Sequence, residues 1–121
     1  MKKFIYSIGY ALKGIKLLFS SQNNIKIQGI IGILVCLLGW IITLSTLEWM
    51  IVIFCIGWVI SAESFNTAVE YVVDYISPDY HIKAGQIKDL SAGGVLIISI
   101  TSSIIGLIIF LPKCIKLFLA N

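Results

Sequence analysis

Four polar residues recur at helical spacing in a chain whose mean hydropathy is +1.01: Glu63, Asn66, Glu70 and Asp74. At about 100° per residue, these intervals place all four on one stripe about 80° wide, hereafter the polar row. Carboxylates on one helix face can bind Mg²⁺, which takes few protein oxygens and shares the others with phosphates and water. The alternative is that they pair with lysines in a helix bundle, because ionisable groups near a bilayer are usually either functional or paired.

Two adjacent residues downstream, Lys88 and Asp89, could join the same site. Lys88 can neutralise phosphate charge, and the N-terminus of the helix that carries it favours anions through its free N–H groups. The sequence has no phosphate-binding loop of the soluble nucleotide-binding type, and the Gly-Gly pair at 93–94 lacks the strand and spacing of a dinucleotide turn. The single histidine, His81, is either part of the site or a solvated loop residue.

Composition places these residues in an integral membrane protein. The 121 residues are 59% hydrophobic, which leaves no room for a soluble domain beside the membrane part. Nine lysines against six carboxylates, with no arginine, give a net charge of +3. That charge is too weak and scattered for nucleic acid, so no nucleic-acid partner is predicted, but it fits an anionic membrane surface. The three cysteines, at unrelated spacings, are interpreted as packing residues.

Hydrophobic periodicity predicts one surface helix and three membrane spans. Residues 2–20 form an amphipathic helix that lies in the membrane interface, and the polar run at 20–24 ends it. Spans follow at about 25–47, 49–77 and 87–111. The tripeptide at 46–48 is predicted as a turn, and residues 78–86 as a loop that Pro78 initiates. The third span is expected to start near Ile87 and to end at Pro112.

Lysine distribution predicts the orientation of these spans. Five lysines precede or open the first span and two lie at 83 and 88, whereas the turn at 43–48 has none. The N-terminus and the second loop are therefore predicted to be cytoplasmic, although Lys113 and Lys116 then fall on the opposite side. Glu63 lies about 21 Å along its helix from Trp49, and Glu70 about 31 Å, so the polar row rises towards the cytoplasmic interface.

Four segments resemble the family of small prokaryotic diacylglycerol kinases and undecaprenol kinases: ALKG at 11–14, ESFNTAVE at 63–70, VVD at 72–74 and AGQIKD at 84–89. The resemblance is colinear from about Phe4 to Leu111. It implies an all-α integral membrane homotrimer in the bacterial inner membrane, with a single domain over residues 1–121 in each subunit. It also implies that this domain phosphorylates a lipid hydroxyl with Mg²⁺ and ATP.

The resemblance also implies roles for individual residues. Glu63 matches a general base for the lipid hydroxyl, and Asn66 a residue that supports it. Glu70 matches a metal ligand, and Asp74 a site carboxylate without a defined role. The remaining matches are to positions that contact the nucleotide. They lie in the surface helix (Lys3 and Tyr10), the loop (Asp79, Tyr80 and His81) and the third span (Lys88 and Asp89).

The sequence departs from the family pattern at Gln22, where the family has its second metal-ligating glutamate. An amide offers a neutral oxygen but no charge, so Mg²⁺ binding without nucleotide should be weaker. Two interpretations remain: an enzyme with one protein carboxylate on the metal, or a catalytically attenuated membrane subunit. A small transporter is disfavoured because three short helices include no broken span. Generic apolar residues leave the acceptor open between diacylglycerol and undecaprenol.

Overall fold

The computed structural model describes residues 1–79 and 81–119, and for Lys2 only the backbone; Tyr80, predicted as a site residue, lies outside the described residues. Within these ranges the chain forms four helices: α1 (Lys2–Ser21), α2 (Asn23–Ile41), α3 (Thr46–Ile76) and α4 (Ile82–Leu119). The last three are long and apolar enough to cross a membrane. The expectation of an all-helical protein with three spans is therefore confirmed. The trimer and the interfacial position of α1 stay predictions.

The break between α1 and α2 is a single residue. Gln22 adopts an extended conformation, with φ −118° and ψ 123°, between two helices that run up to it on both sides. The predicted break lies within residues 20–24 as expected, but it is narrower. The hydroxyl groups of Ser20 and Ser21 donate to the carbonyls of Leu17 and Leu18, so both serines remain compatible with the helix. The Gln22 side chain is thereby presented at the corner where α1 meets α2.

The turn between α2 and α3 lies earlier than predicted. The first span ends at Ile41 rather than at residue 47, and residues 46–48 form the first turn of α3 instead of a turn between helices. The reason is a capping box: Glu48 N–H donates to Ser45 Oγ at 3.4 Å, and Ser45 N–H donates to Glu48 Oε2 at 2.7 Å. Thr43 completes the reversal in the left-handed region, at φ 53°.

The helix α4 is longer at both ends than the predicted span of 87–111. It begins at Ile82, because Gly85 N–H already donates to the His81 carbonyl at 3.0 Å. It also continues through Pro112 to Leu119. A proline removes one helical hydrogen bond without necessarily ending a long helix, and the Lys113 ammonium group beyond it bonds Glu48 Oε2 at 2.9 Å. The C-terminal part of α4 is thus tied to the start of α3.

Few apolar side chains are buried among the described residues, and they lie near the two ends of the bundle. Ile42, Leu44 and Val52 form a cluster at the α2–α3 turn, where Trp49 packs against them. At the other end Leu18, Ile25 and Val73 are buried. At 1.5 Å per residue, α3 and α4 are about 46 and 57 Å long, against a hydrocarbon core of roughly 30 Å. Both helices therefore extend beyond the bilayer core, and the polar row of α3 lies towards the end that faces the α1–α2 corner.

Candidate active site

The polar row starts on the buried face of α3. Glu63 is only 4% exposed, Asn66 7% and Thr67 5%, although most large apolar side chains of the chain are exposed. Burying polar groups is costly unless they find hydrogen-bond partners. Thr67 finds one within its helix, because its Oγ1 donates to the Glu63 carbonyl at 2.9 Å. The side chains of Glu63 and Asn66 are hydrogen-bonded to other polar side chains.

The Glu63 carboxylate is held by an amide from the neighbouring helix. Gln28 Nε2, on α2, donates to Glu63 Oε2 at 3.3 Å. The other end of the same amide, Gln28 Oε1, is buried and has no hydrogen-bond partner. Sequence reasoning missed Gln28; the available signal was one amide side chain inside an otherwise apolar stretch of the first span.

The Glu70 carboxylate accepts hydrogen bonds on both of its oxygens. Asn66 Nδ2 donates to Oε1 at 2.9 Å, and Gln22 Nε2 donates to Oε2 at 3.2 Å. The bond to Gln22 joins the α1–α2 corner to α3 across 48 residues of sequence. The structure thus brings together the two residues predicted as metal ligands, Glu70 and Gln22, with Asn66 between Glu63 and Glu70 on α3.

The donor set around Glu70 fits Mg²⁺. The candidate ligand atoms are oxygens: those of the Glu70 carboxylate and of the Gln22 and Asn66 amides. Both amides now present NH₂ groups to Glu70, so each would turn its oxygen towards an arriving ion; Asn66 Oδ1 is buried without a hydrogen-bond partner. Hard cations of this kind prefer oxygen ligands and tolerate a sparse protein shell when phosphates complete it. Among the described residues no group of three or more His, Cys, Asp or Glu side chains could hold an ion alone. The set therefore suits a metal that is shared with phosphate oxygens.

Asp74 and Lys88 pair with each other across α3 and α4. The side chains are 61% and 36% exposed, respectively. Exposed ion pairs contribute little to stability, between about 0 and 1 kcal/mol. This ion pair agrees with the alternative that Asp74 pairs with a lysine within the helix bundle. It also leaves the Lys88 ammonium group open to exchange its carboxylate for a phosphate at low cost.

The other predicted nucleotide contacts lie at the same end of the bundle or on α1. Asp79 and His81 are exposed in the α3–α4 connection, and Asp89 is exposed one residue after Lys88. His81 Nδ1 accepts a hydrogen bond from Lys83 N–H at 3.2 Å. On α1, Lys3 and Tyr10 are exposed, and the Tyr10 ring lies 5.5 Å from the Lys13 ammonium group. Their roles on a nucleotide stay predictions.

Two apolar cavities flank the polar row. One, of about 680 Å³, lies between α3 and α4 next to His81, and its walls include Val69, Val72 and Ile87. The other, of about 520 Å³, is bounded by α2, α3 and α4 and has Gln28 among its lining residues. Its remaining walls are mainly small or aliphatic side chains, among them Gly32, Val35, Val59 and Gly106. The second cavity is hereafter the Gln28 groove; its link to the Glu63 carboxylate is the Gln28 amide, which lines the groove and bonds Glu63 Oε2.

Comparison with known proteins agrees with the resemblance found in the sequence. The family model described as prokaryotic diacylglycerol kinase matches residues 9–110. The undecaprenol kinase of Bacillus subtilis (strain 168) is 37% identical over 113 residues, which cover 93% of this chain and 92% of that protein. The diacylglycerol kinase of Synechocystis is 31% identical over 114 residues, covering 93% and 65%. The diacylglycerol kinase of Escherichia coli (strain K12) is 26% identical over 102 residues, which cover 84% of each chain.

Proposed function

The chain belongs to the prokaryotic diacylglycerol kinase family, and from that premise we propose that it transfers the γ-phosphoryl group of ATP to the hydroxyl of a membrane lipid. The observation that carries the proposal is the pair of carboxylates on α3 that are held by amides. Glu63 is buried and bonded to Gln28, a lining residue of the Gln28 groove, and Glu70 accepts hydrogen bonds from Asn66 and Gln22. They lie seven residues apart, or about 10 Å along the helix, so one can face the acceptor while the other faces the phosphates.

Glu63 is the general base in this mechanism. Its carboxylate takes the proton of the lipid hydroxyl as that oxygen bonds to the γ-phosphorus, while the bond from phosphorus to the bridging oxygen of ADP breaks. A positioned base of this kind typically contributes 10²- to 10⁴-fold to the rate. Burial next to an apolar groove supports this role, because the lipid chain can lie in the groove while its hydroxyl reaches the carboxylate.

The residues around Glu70 bind the phosphate end of the nucleotide. Glu70, Gln22 and Asn66 would hold Mg²⁺, which supplies charge neutralisation on the phosphates when it is bound. Lys88 leaves Asp74 to contact a phosphate, since an exposed ion pair is cheap to exchange. The proposed contacts to the rest of the nucleotide are those that the resemblance implies: Lys3, Tyr10, Asp79, Tyr80, His81 and Asp89. Asp74 is proposed as a further carboxylate of the nucleotide site, beside Lys88.

The assembly and setting are proposed on the same basis: a homotrimer in the bacterial inner membrane, with the N-terminus and the α3–α4 connection in the cytoplasm. Lysine asymmetry about the α2–α3 turn supports this orientation. Single cysteines at Lys83 and at Thr46, in a chain freed of its own three cysteines, should react with a membrane-impermeant maleimide from opposite sides. Labelling of both from the same side would reject the orientation.

The acceptor we propose is a long-chain prenyl alcohol of the undecaprenol type, ahead of diacylglycerol. The support is the identity to the relative named undecaprenol kinase, 37%, against 31% and 26% for those named diacylglycerol kinase. The alternative, a catalytically attenuated subunit, is favoured by one observation: Gln22 replaces a charged ligand with an amide.

One experiment separates these possibilities. Purified protein is incubated with γ-labelled ATP, Mg²⁺ and either undecaprenol or diacylglycerol in mixed micelles, with Glu63→Gln as the matched inactive control. We expect labelled lipid phosphate from the parent chain, with undecaprenol preferred. Label in neither lipid, from protein that is folded in the micelles, would support the attenuated subunit instead.

A further inference from the structure

Among the described hydrogen bonds, the Glu63 side chain has one partner on another helix, which is Gln28. The hydrogen bonding of the Gln28 amide is unusual. Its Nε2 donates to Glu63 Oε2 at 3.3 Å, from α2 to α3, across 35 residues of sequence. Its Oε1 is buried and has no partner. Gln28 as a whole is half-buried, but its Oε1 is fully enclosed, and an enclosed acceptor without a partner is uncommon because it is costly.

The hydrogen-bonding capacity of a carboxylate accounts for the end of the amide that faces Glu63. An ionised carboxylate only accepts hydrogen bonds, so Gln28 can bond to it only through its NH₂ group. Once Glu63 has taken a proton, the carboxylic acid gains an O–H donor. A half-turn of the same amide about its last side-chain bond then presents Oε1, the atom that lacks a partner, to that new donor.

We propose that Gln28 is a positioning residue that serves Glu63 in both of its protonation states. Before transfer, Gln28 Nε2 holds the carboxylate in place beside the Gln28 groove. During transfer, the alcohol proton moves to a Glu63 oxygen as the alcohol oxygen bonds to phosphorus and ADP departs. After transfer, Gln28 Oε1 accepts a hydrogen bond from the protonated acid.

The Gln28 amide takes the place of water as the hydrogen-bonding partner of the Glu63 side chain. Glu63 is 4% exposed, and the groove beside it is lined mainly by aliphatic side chains. In water, the carboxylate and the acid would each be solvated by molecules that reorient freely. A side chain with one donor end and one acceptor end supplies both kinds of bond without admitting water, which keeps the phosphoryl group from hydrolysis.

This inference rests on the proposed lipid kinase activity and can fail independently of it. The central variants are Gln28→Met, which keeps the length but removes both polar ends, and Gln28→Asn, which keeps the amide but shortens its reach by one methylene. Both should lower kcat by roughly 10- to 100-fold, the effect of losing one hydrogen bond to a charged group. The KM for ATP should stay unchanged in both, because the Glu70 end of the site is untouched.

Gln28→His is the rescue variant. A neutral imidazole also has one donor and one acceptor, and its Nε2 lies the same number of bonds from the backbone as that of glutamine. It should therefore keep a larger kcat than either Met or Asn. Thr101→Val is the matched control, since it removes a side-chain hydrogen bond from an exposed part of α4, and it should leave kcat unchanged.

A double substitution tests whether Gln28 acts through Glu63. In a Glu63→Gln background, adding Gln28→Met should cause little further loss, because the proton-accepting group is already absent. If Gln28→Met or Gln28→Asn folds and keeps kcat within about two-fold of the parent, while Glu63→Gln loses about 10²-fold or more, the inference is wrong and the proposed function stands. A full, independent loss in the double variant would also overturn it. A parent chain that phosphorylates no lipid alcohol would overturn both.

Discussion

Both ends of α3 have buried or half-buried carboxylates, but the partners of these carboxylates differ in kind. At the α2–α3 turn, Glu48 receives a hydrogen bond from the backbone of Ser45 and an ion pair from Lys113 at 2.9 Å. Towards the other end, Glu63 and Glu70 receive hydrogen bonds only from the amides of Gln28, Asn66 and Gln22 in the described structure.

The difference separates a carboxylate that stabilises the fold from carboxylates that are available for chemistry. Glu48 has a charged partner and a backbone partner, so its charge is neutralised and its geometry closes the turn. The amide-held carboxylates have no cationic partner among the described ion pairs, and two amide oxygens near them, Gln28 Oε1 and Asn66 Oδ1, lack partners. Buried acceptors without partners are expected where a donor or a cation arrives during function.

The largest expected effect comes from the deepest of these carboxylates. Glu63→Gln should lower kcat by about 10²- to 10⁴-fold while nucleotide still binds, because it removes a base and leaves the phosphate contacts alone. Lipid phosphorylation with labelled ATP gives kcat, and equilibrium binding of a non-hydrolysable ATP analogue gives the affinity. Near-normal turnover in this variant would show that Glu63 is not the base.

The next effect concerns the nucleotide end of the site. Glu70→Gln and Lys88→Ala should each raise the KM for Mg-ATP by roughly ten-fold or more, since each removes a charged contact to the metal or the phosphates. Asp74→Asn is the matched comparison, because it removes the partner of Lys88 but leaves the lysine in place. The KM should be measured at a fixed mole fraction of lipid. An unchanged KM in both Glu70→Gln and Lys88→Ala would place the nucleotide elsewhere.

A smaller effect is expected at Gln22, which lies against Glu70 in the structure. Gln22→Glu should lower the half-saturating Mg²⁺ concentration, because a second carboxylate attracts the ion even at an effective dielectric constant of about 20. Activity should rise at low Mg²⁺ and converge with the parent at high Mg²⁺. Gln22→Ala should shift the curve in the opposite direction. Superimposable curves of activity against Mg²⁺ concentration for the three proteins would show that residue 22 does not contact the metal.

The smallest effect is expected at the N-terminal end of α3, where the capping box lies. Ser45→Ala removes the N-cap of the capping box and should destabilise the chain by about 1 kcal/mol, which lowers the melting temperature by a few degrees. Turnover at a temperature well below melting should not change. Thermal denaturation in micelles, together with the lipid phosphorylation assay, measures both. A loss of turnover without a loss of stability would mean that the two ends of α3 are coupled.

Sequence reasoning predicted the parts of this picture that depend on local spacing. The polar row was recognisable because Glu63, Asn66, Glu70 and Asp74 repeat with the period of one helix. It did not predict Gln28, because the contact to Glu63 depends on how α2 packs against α3, and no spacing within either helix records it. Gln22 was reached only through the resemblance to a family, and the structure now gives it a partner in Glu70.

The errors in the predicted elements have local physical causes. The S-x-x-E pattern at Ser45 and Glu48 is a helix-start signal, which outweighs the turn predicted at residues 46–48. Ser20 and Ser21 remain in the helix because a serine hydroxyl group can bond to a carbonyl of the preceding turn. The sequence predicts that Pro112 ends the last helix, but α4 continues beyond it. The ion pair of Lys113 with Glu48, which holds this part of α4 against α3, joins residues 65 apart and is not recorded in the local sequence.

One isosteric change, made at the two ends of α3 and measured in the same assay, distinguishes the two kinds of carboxylate most directly. Glu63→Gln and Glu48→Gln both replace a carboxylate by an amide, and the labelled lipid phosphate is measured beside the melting temperature. We expect Glu63→Gln to lose about 10²- to 10⁴-fold in turnover and to keep its stability. We expect Glu48→Gln to melt at a lower temperature and to keep its turnover. Equal losses of turnover in the two variants, or an active Glu63→Gln, would contradict this distinction.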